Sequence, residues 1–337
     1  MEFQTYIRKI TDGETLSRAE MTAAMRDIMT GGATPAQVGG FLVGMRMRGE
    51  TVEELSAAAA VMRELATGVV ANREHMVDTC GTGGDASGTF NISTASAFVC
   101  AAAGARVAKH GNRSVSSKSG SADVLEAAGV NLDISPEQVA ECIDKLGVGF
   151  LFAQKHHSAM RHAIGPRKDL GVRTLFNLLG PLTNPAGAPN QVVGVFAPQW
   201  VRPLAEVLQQ LGSRHVMVVN AADGLDEISI AAPTHVAEYH DGVVSEYTIE
   251  PEDFGLQRAA LDGLRVETAE QSLALIRRVL NNEPGPAADI VALNAGAAIY
   301  VAGLAKSHQQ GMEKARSVMA DGSALQRMHQ LAEMTQA

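Results

Sequence analysis

The sequence predicts an α/β protein in which a small helical N-terminal domain precedes a larger domain built on a mainly parallel central sheet. Three observations carry this. The first 70 or so residues hold apolar segments of helical length between capping residues, without strand alternation. From residue 75 onward, short apolar runs alternate with helical segments, the pattern that crossover connections convert into a parallel sheet. The first of those runs enters Gly81-Thr82-Gly83-Gly84-Asp85, a strand feeding a loop that binds an anion. At 337 residues and 46% hydrophobic content the chain has room for about two domains, at ~150 residues each, and a sizeable core.

Taken in order, Ser17 caps a helix over 18–29 that ends at Gly31-Gly32, and Thr34-Pro35 supplies N-cap and first position for the next, ending near Gly49. Thr51 with Glu54 forms a capping box for a helix through 66. Phe41, Leu42, Val43, Met45 and Met47 surround Gly39, Gly40 and Gly44, which suits close helix packing inside the module or against a second copy. Strands follow at 76–79, 105–109 and 148–152, with helices after Asn91, around 123–128 and from Ser135-Pro136 to 146. Between 156 and 184 strand signals cease; 158–164 and 173–179 read as helical and rejoin the N-terminal module. Strands resume at 191–196 and 215–220 around a helix over 201–211, and Asp241-Gly242 joins 236–239 to 243–247 as a hairpin. The remainder reads as helices at 270–280, 290–302, 308–319 and 324–334.

The glycine loop is neither of the common nucleotide motifs. Gly83 to Gly88 has P-loop spacing, but Thr89-Phe90 stands where Lys-Ser/Thr is required, and Asp85-Ala86 breaks the dinucleotide pattern. Asn91-Ile92-Ser93-Thr94 then opens a helix, offering an N-cap residue and two hydroxyls where helix N–H groups are unpaired. A second polar cluster, Lys109-His110-Gly111-Asn112-Arg113-Ser114-Val115-Ser116-Ser117, follows the next strand, at the end where open α/β sheets bind ligands.

With 28 basic and 37 acidic residues the net charge is −9, which argues against nucleic-acid and membrane-surface partners and suits small anionic substrates held in a local basic pocket. Cys80, Cys100 and Cys142 show no C-x-x-C spacing, and Glu2, Arg8 and Lys9 interrupt the first ten residues. No apolar run reaches membrane-spanning length, so the expectation is a cytoplasmic protein.

Asp78 to Asp85, Asn91 to Thr94, Lys109 to Arg113 and Ser119-Gly120-Ser121-Ala122-Asp123-Val124-Leu125-Glu126 closely resemble the anthranilate phosphoribosyltransferase family. The likeness continues in order through Gly165-Pro166-Arg167, Leu170 to Thr174, Phe176 to Pro185 and Asp223-Gly224-Leu225-Asp226-Glu227. It implies the nucleoside phosphorylase/phosphoribosyltransferase type of fold, with a helical domain at 1–71 joined by about 158–184, and a phosphoribosyl diphosphate-binding domain at 72–337. It also implies a homodimer joined through the helical domain, and transfer of the phosphoribosyl group to anthranilate in tryptophan biosynthesis. In this family Pro usually stands where this chain has Gln154 and Ser158.

The resemblance assigns roles. Gly81, Gly83 and Gly84 with Asn91, Ile92, Ser93 and Thr94 cradle the diphosphate, and Asp85 and Thr89 face ribose or metal-bound water. Lys109 is a phosphate counter-charge in the same site as His110, Gly111, Asn112, Arg113, Ser114, Val115, Ser116, Ser117 and Ser121, although Ser114 and Ser116 equally suit a turn. Asp226 and Glu227, with the Ser93 hydroxyl, are the expected ligands of Mg²⁺, two ions in all. Arg167 is expected to hold the anthranilate carboxylate, helped by Gly81, Asn112 and His110, because a guanidinium makes the two-pronged contact that lysine cannot. An aromatic amine is largely neutral at pH 7, so no general base is assigned. The competing enzyme reading is a pyrimidine nucleoside phosphorylase-like activity using free phosphate; the competing class is a non-enzymatic nucleic-acid-binding relative, which would need a basic stripe.

Overall fold

The computed structural model describes residues 2–85, 87–113 and 119–336. The N-terminal module consists of α1 (Phe3–Thr11), α2 (Arg18–Thr30), α3 (Pro35–Arg48) and α4 (Val52–Leu65). Ser17, Thr34 and Thr51 cap the last three as expected; the Thr51–Glu54 capping box is joined by two more, Ser17–Glu20 and Thr34–Gln37. α1 is additional to the sequence reading: it lacks a side-chain cap, and it is held by Phe3, Tyr6 and Ile10, which bury one face. The closeness of α1 to α3 explains one glycine of the Gly-rich helix, since a Cβ on Gly44 would fall 2.8 Å from Ile10 Cγ2. Phe41 and Met45 are fully buried within the module, whereas Met47 is 83% exposed.

The larger part alternates β1 (Met76–Gly81), α5 (Ile92–Ala102), β2 (Arg106–Gly111), α6 (Ser121–Ala127), α7 (Pro136–Leu146) and β3 (Val148–Phe152). A helical excursion follows through α8 (Ala153–His156), α9 (Arg161–Leu170) and α10 (Leu175–Leu179). Then come β4 (Asn190–Gly194), α11 (Val201–Gln210), β5 (His215–Ala221), β6 (Thr234–His240) and β7 (Val243–Ile249). The chain closes with α12 (Ala269–Leu280), α13 (Pro286–Val301), α14 (His308–Ala320) and α15 (Ser323–Gln336). α9 starts later than the sequence suggests and continues through Gly165-Pro166 to Gly171, whose left-handed φ of 61° ends it.

Among the described residues seven strands form one sheet in the order β3-β2-β1-β4-β5-β6-β7; the first five are parallel and the hairpin β6–β7 is antiparallel. Asp241 (φ 48°) and Gly242 (φ 85°) make the hairpin turn, both left-handed as a tight two-residue loop requires. Successive strand residues face opposite layers. On β5, Met217 and Val219 join the core under α5, α12 and α13, while Val216 and Val218 join a second core with α11, α1–α4 and the α9–α10 segment. The second core includes Ala163, Leu175, Phe176, Leu178 and Leu179, so the helical excursion packs on the N-terminal module.

Candidate active site

From β1 the chain moves outward to β2 and β3, then returns to lay β4 on the other side of β1. Such a switch point opens a crevice at the carboxyl ends of the two strands, here Gly81 and Gly194, which are register partners. The loop between β5 and β6 folds over this pair. A Cβ at Gly81 would lie 2.6 Å from Asp226 Oδ2, and one at Gly194 would lie 1.5 Å from the Asp226 carbonyl oxygen. Gly194 must be glycine because the Asp226 backbone occupies its Cβ position, and a side chain at Gly81 would displace the Asp226 carboxylate. Gly83 (φ 65°) and Gly84 (φ 79°) then turn left-handed, and Gly83 N–H donates to Asp226 Oδ2 at 2.9 Å.

Three more predicted site residues, Ser93, Glu227 and Lys109, converge beside this loop. Ser93, in the first turn of α5, donates its N–H to Glu227 Oε1 at 3.2 Å. Its hydroxyl accepts from Lys109 Nζ at 3.2 Å, and Lys109 also donates to Thr79 O at 2.5 Å. Lys109 is only 4% exposed, so its charge is held inside the site and not in solvent. Asn91 holds the N-cap position of α5 without capping it, because its amide is occupied elsewhere. Its Nδ2 donates to Ser119 O, and its Oδ1 accepts from Ser272 Oγ at 2.7 Å. Ile92 is a core residue, and the buried Thr94 hydroxyl has no hydrogen-bond partner among the described residues.

Burial pushes the carboxyl groups of Asp226 and Glu227 well above the usual carboxylate range; Asp85 adds to this for Asp226, and Asp226 does so for Glu227, against the opposing Lys109. Asp85 Oδ2 is buried without a hydrogen-bond partner among the described residues. Hard oxygen donors held together at mutual electrostatic cost fit a divalent cation such as Mg²⁺. A different grouping, His215, Glu238 and His240, lies at the amino end of β5, away from this crevice. There the imidazoles stack at 3.9 Å and 13°, so their in-plane lone pairs run side by side instead of converging, and Glu238 already accepts from Tyr247 and pairs with His215.

The second cluster divides. Gly111 must be glycine, since a Cβ there would meet Ser121 Oγ at 2.3 Å and Phe150 at 2.8 Å. Asn112 Oδ1 accepts from Gln154 Nε2 at 3.3 Å, and its backbone oxygen accepts from Ser121 Oγ at 3.5 Å. Arg113 turns to Asp123 and Glu126 and lies over Phe152, so its charge is compensated within the chain. Thr89 bridges to Arg265 and shares its hydroxyl with Ser87. Ser114, Val115, Ser116 and Ser117 lie outside the described residues.

His110 places Nδ1 3.2 Å from Gly180 O, and its ring lies 5.1 Å from that of His157, tilted by 59°; burial, aided by His157, lowers its pKa to about 3, and burial lowers that of His157 to about 4. Both imidazoles are therefore neutral at physiological pH. With Nδ1 donating to Gly180, His110 Nε2 is left as a buried lone-pair acceptor. Arg167, on α9, lies 5.2 Å over Phe176 and has no acidic partner among the described residues; burial lowers its pKa. No hydrogen bond or ion pair joins it to the glycine-loop cluster among those residues. Arg173 does reach that loop: it donates to Gly84 O, stacks 4.3 Å over Phe196, and its own carbonyl accepts from Arg46 at 2.6 Å. The sequence reading assigned neither Arg173 to this contact nor Gly194 to the crevice; a glycine inside the strand pattern Val192-Val193-Gly194-Val195 is the signal for the latter.

Two family descriptions match, the helical bundle domain of a glycosyl transferase family over residues 4–66 and its a/b domain over 73–325. Relatives named anthranilate phosphoribosyltransferase from Thioalkalivibrio sulfidiphilus and Methylococcus capsulatus are 68% and 62% identical over 335 residues. The alignments cover 99% of this chain in both cases, and 99% and 98% of those relatives. The crystal structure of anthranilate phosphoribosyltransferase from Thermus thermophilus superposes with a TM-score of 0.93 at 45% identity, covering 98% of this chain and 99% of that one. The Saccharomyces cerevisiae enzyme, solved in complex with PRPP and Mg, shares the fold at a TM-score of 0.90 and 24% identity, covering 99% of this chain and 98% of that one. The chain belongs to the anthranilate phosphoribosyltransferase family of glycosyl transferases.

Proposed function

We propose that the protein transfers the 5-phosphoribosyl group of phosphoribosyl diphosphate to the amine of anthranilate, giving N-(5-phosphoribosyl)anthranilate and diphosphate. In this reaction the bond from ribose C1 to the diphosphate oxygen breaks, a bond from C1 to the amine nitrogen forms, and the amine gives up a proton. The observation that carries the reading is the docking of Asp226 and Glu227 onto the glycine loop and the start of α5, through Gly83 N–H and Ser93 N–H. Asp226, Glu227 and the Ser93 hydroxyl would hold Mg²⁺, two ions in all, supplying positive charge where the diphosphate departs.

The other steps belong to the chain. With the Gly83 and Ser93 N–H groups turned to the acids, the rest of the glycine loop and the hydroxyls of Ser93 and Thr94 face the phosphate oxygens, and Lys109 fixes Thr79 and Ser93 from beneath. Arg167 pairs with the anthranilate carboxylate, supported by its lack of an internal counter-ion among the described residues. Asn112 and Gly81 complete that side. The neutral His110 Nε2 is suited to accept a hydrogen bond from the amine, and it is too weak a base to remove a proton from anything but an activated nitrogen.

The helical domain at 1–71, with 158–184, pairs with a second copy in a homodimer, in which Met47, 83% exposed in the single chain, would be covered. The α/β domain occupies 72–337. Three free cysteines, two of them buried, support a reducing cytoplasmic setting; no helix among the described residues is long and apolar enough to cross a membrane. The test is direct: mixing the protein with phosphoribosyl diphosphate, Mg²⁺ and anthranilate should extinguish anthranilate fluorescence. Persistence of that fluorescence under saturating substrates would reject the reading.

A further inference from the structure

The acidic loop is anchored by a residue far from it in sequence. Asn294 stands in the middle of α13, between fully buried apolar neighbours, where an asparagine weakens the helix and an amide must find partners. Its partners are specific. Oδ1 accepts the N–H of Ile228 at 2.9 Å; Nδ2 donates to the carbonyl of Ile228 at 2.9 Å and to that of Ile290 at 2.9 Å. The reversed amide would set Oδ1 against two carbonyl oxygens, so the neighbours fix its orientation.

We propose that Asn294 is a positioning residue for the cation-binding acids. It grips both polar groups of the residue that follows Glu227, as a neighbouring strand would. The N–H it holds belongs to the peptide joining Glu227 to Ile228, so that plane, and with it the origin of the Glu227 side chain, cannot rotate. The Ile228 side chain is 1% exposed in the main core, which adds a third restraint. The remaining loop is tied separately: Ser229 Oγ donates to Asp223 Oδ2 at 2.7 Å, and Gly194 seats Asp226. A pair of carboxylates held against their electrostatic preference needs such fixed points, because otherwise the loop would relieve the strain by swinging outward. α13 thus transmits the rigidity of the core to the ion site without touching a substrate.

This inference rests on the reading that Asp226 and Glu227 hold the ion. The test compares Asn294→Ala with Val291→Ala, a core truncation on the same helix whose side chain carries no hydrogen bond, and with the double variant Asp226→Asn, Glu227→Gln. Two readouts serve, both well below each melting temperature: calorimetric titration of Mn²⁺ in the presence of phosphoribosyl diphosphate, and amide hydrogen exchange of the segment containing Ile228 in the protein without added metal. Asn294→Ala should weaken Mn²⁺ binding about tenfold or more and accelerate exchange at Ile228; Val291→Ala should lower the melting temperature and leave both readouts unmoved. Unchanged Mn²⁺ affinity in Asn294→Ala, or an equal loss in both single variants, overturns the positioning role. Unchanged affinity in the acidic double variant overturns instead the ion assignment beneath it. Should Asn294→Ala fail to fold, Asn294→Asp retains an acceptor for the Ile228 N–H but loses both donors, and the same titration decides: a weakened ion supports the role and a wild-type titration rejects it.

Discussion

Gly194 and Asp226 meet so closely that a Cβ on the glycine would fall 1.5 Å from the Asp226 carbonyl oxygen. Neither backbone can yield easily: Gly194 ends a central strand, and the loop around Asp226 is pinned on both sides. Gly194→Ala should therefore displace the acids and reduce turnover by at least about a hundredfold. Gly83→Ala should be far milder, because nothing lies within 4 Å of its Cβ position and the cost is the left-handed φ of 65°, about 1–2 kcal/mol. Comparing kcat and melting temperature for the two variants checks the contrast; equal effects would show that loop strain, not the approach of Asp226, governs this corner.

The raised proton affinities of Asp226 and Glu227 give a pH signature. Their folded pKa values lie above the unfolded ones, so the folded state binds more protons, and stability from these groups is full below the ordinary carboxylate range. It is lost as pH rises through the folded values. Without divalent cations the protein should therefore lose stability from pH 5 to pH 8, and Mg²⁺ with phosphoribosyl diphosphate should restore more of it at pH 8 than at pH 5. Asp226→Asn with Glu227→Gln should flatten that dependence and abolish turnover while keeping the fold. Thermal melts across pH decide this; a pH-independent ion effect in the unmodified protein contradicts it.

Glu54 controls the helical module. It is fully buried and accepts from Leu16 N–H, Thr51 N–H, the Thr51 hydroxyl and Arg48 Nη2, the last at 2.5 Å. Glu54→Ala leaves Arg48, 9% exposed in its side chain, without its counter-charge, and should cost about 3–5 kcal/mol. Chemical denaturation measures this, and the KM for both substrates should remain near wild type at temperatures where the variant stays folded.

What was legible in the sequence was local. Ser17, Thr34, Thr51 and Ser135 announce their helices because a capping box is complete within four residues, and Asp241-Gly242 announces a hairpin because two left-handed positions suffice. Of the candidate site, the glycine loop, Lys109 and the acidic pair could be found as separate motifs. Their relation could not. That β4 lies beside β1 is a choice of sheet order, and only this choice brings Gly194 under Asp226 and makes the glycines a seat for an acid. Asn91 misled for the same reason: a cap residue in isolation, it is claimed by Ser119 and by Ser272, 181 positions away. The sequence reading ended this helix at residue 164, whereas α9 runs through Pro166 to Leu170 with Ala163 and Pro166 buried.

Arg167 is the residue on which acceptor choice should turn. A half-buried guanidinium over Phe176, with no acid beside it among the described residues and with burial working against its charge, gains most from an incoming carboxylate. Arg167→Ala should raise the KM for anthranilate about ten- to a hundredfold, from the ~1.5–3 kcal/mol of a hydrogen bond to a charged group. The Kd for phosphoribosyl diphosphate should hardly move, since no hydrogen bond or ion pair connects Arg167 to the glycine loop among those residues. Arg167→Lys should recover part of the loss, because an ammonium restores the charge but not the two-pronged contact. Arg173 provides the contrast. Its guanidinium is committed to Gly84 O and Phe196, so Arg173→Ala should loosen the loop and weaken phosphoribosyl diphosphate first. Binding titrations of both substrates to both variants separate the roles. If Arg167→Ala weakens the two substrates equally, the arginine serves the phosphates or the seating of α9, and the anthranilate carboxylate must be held by another group.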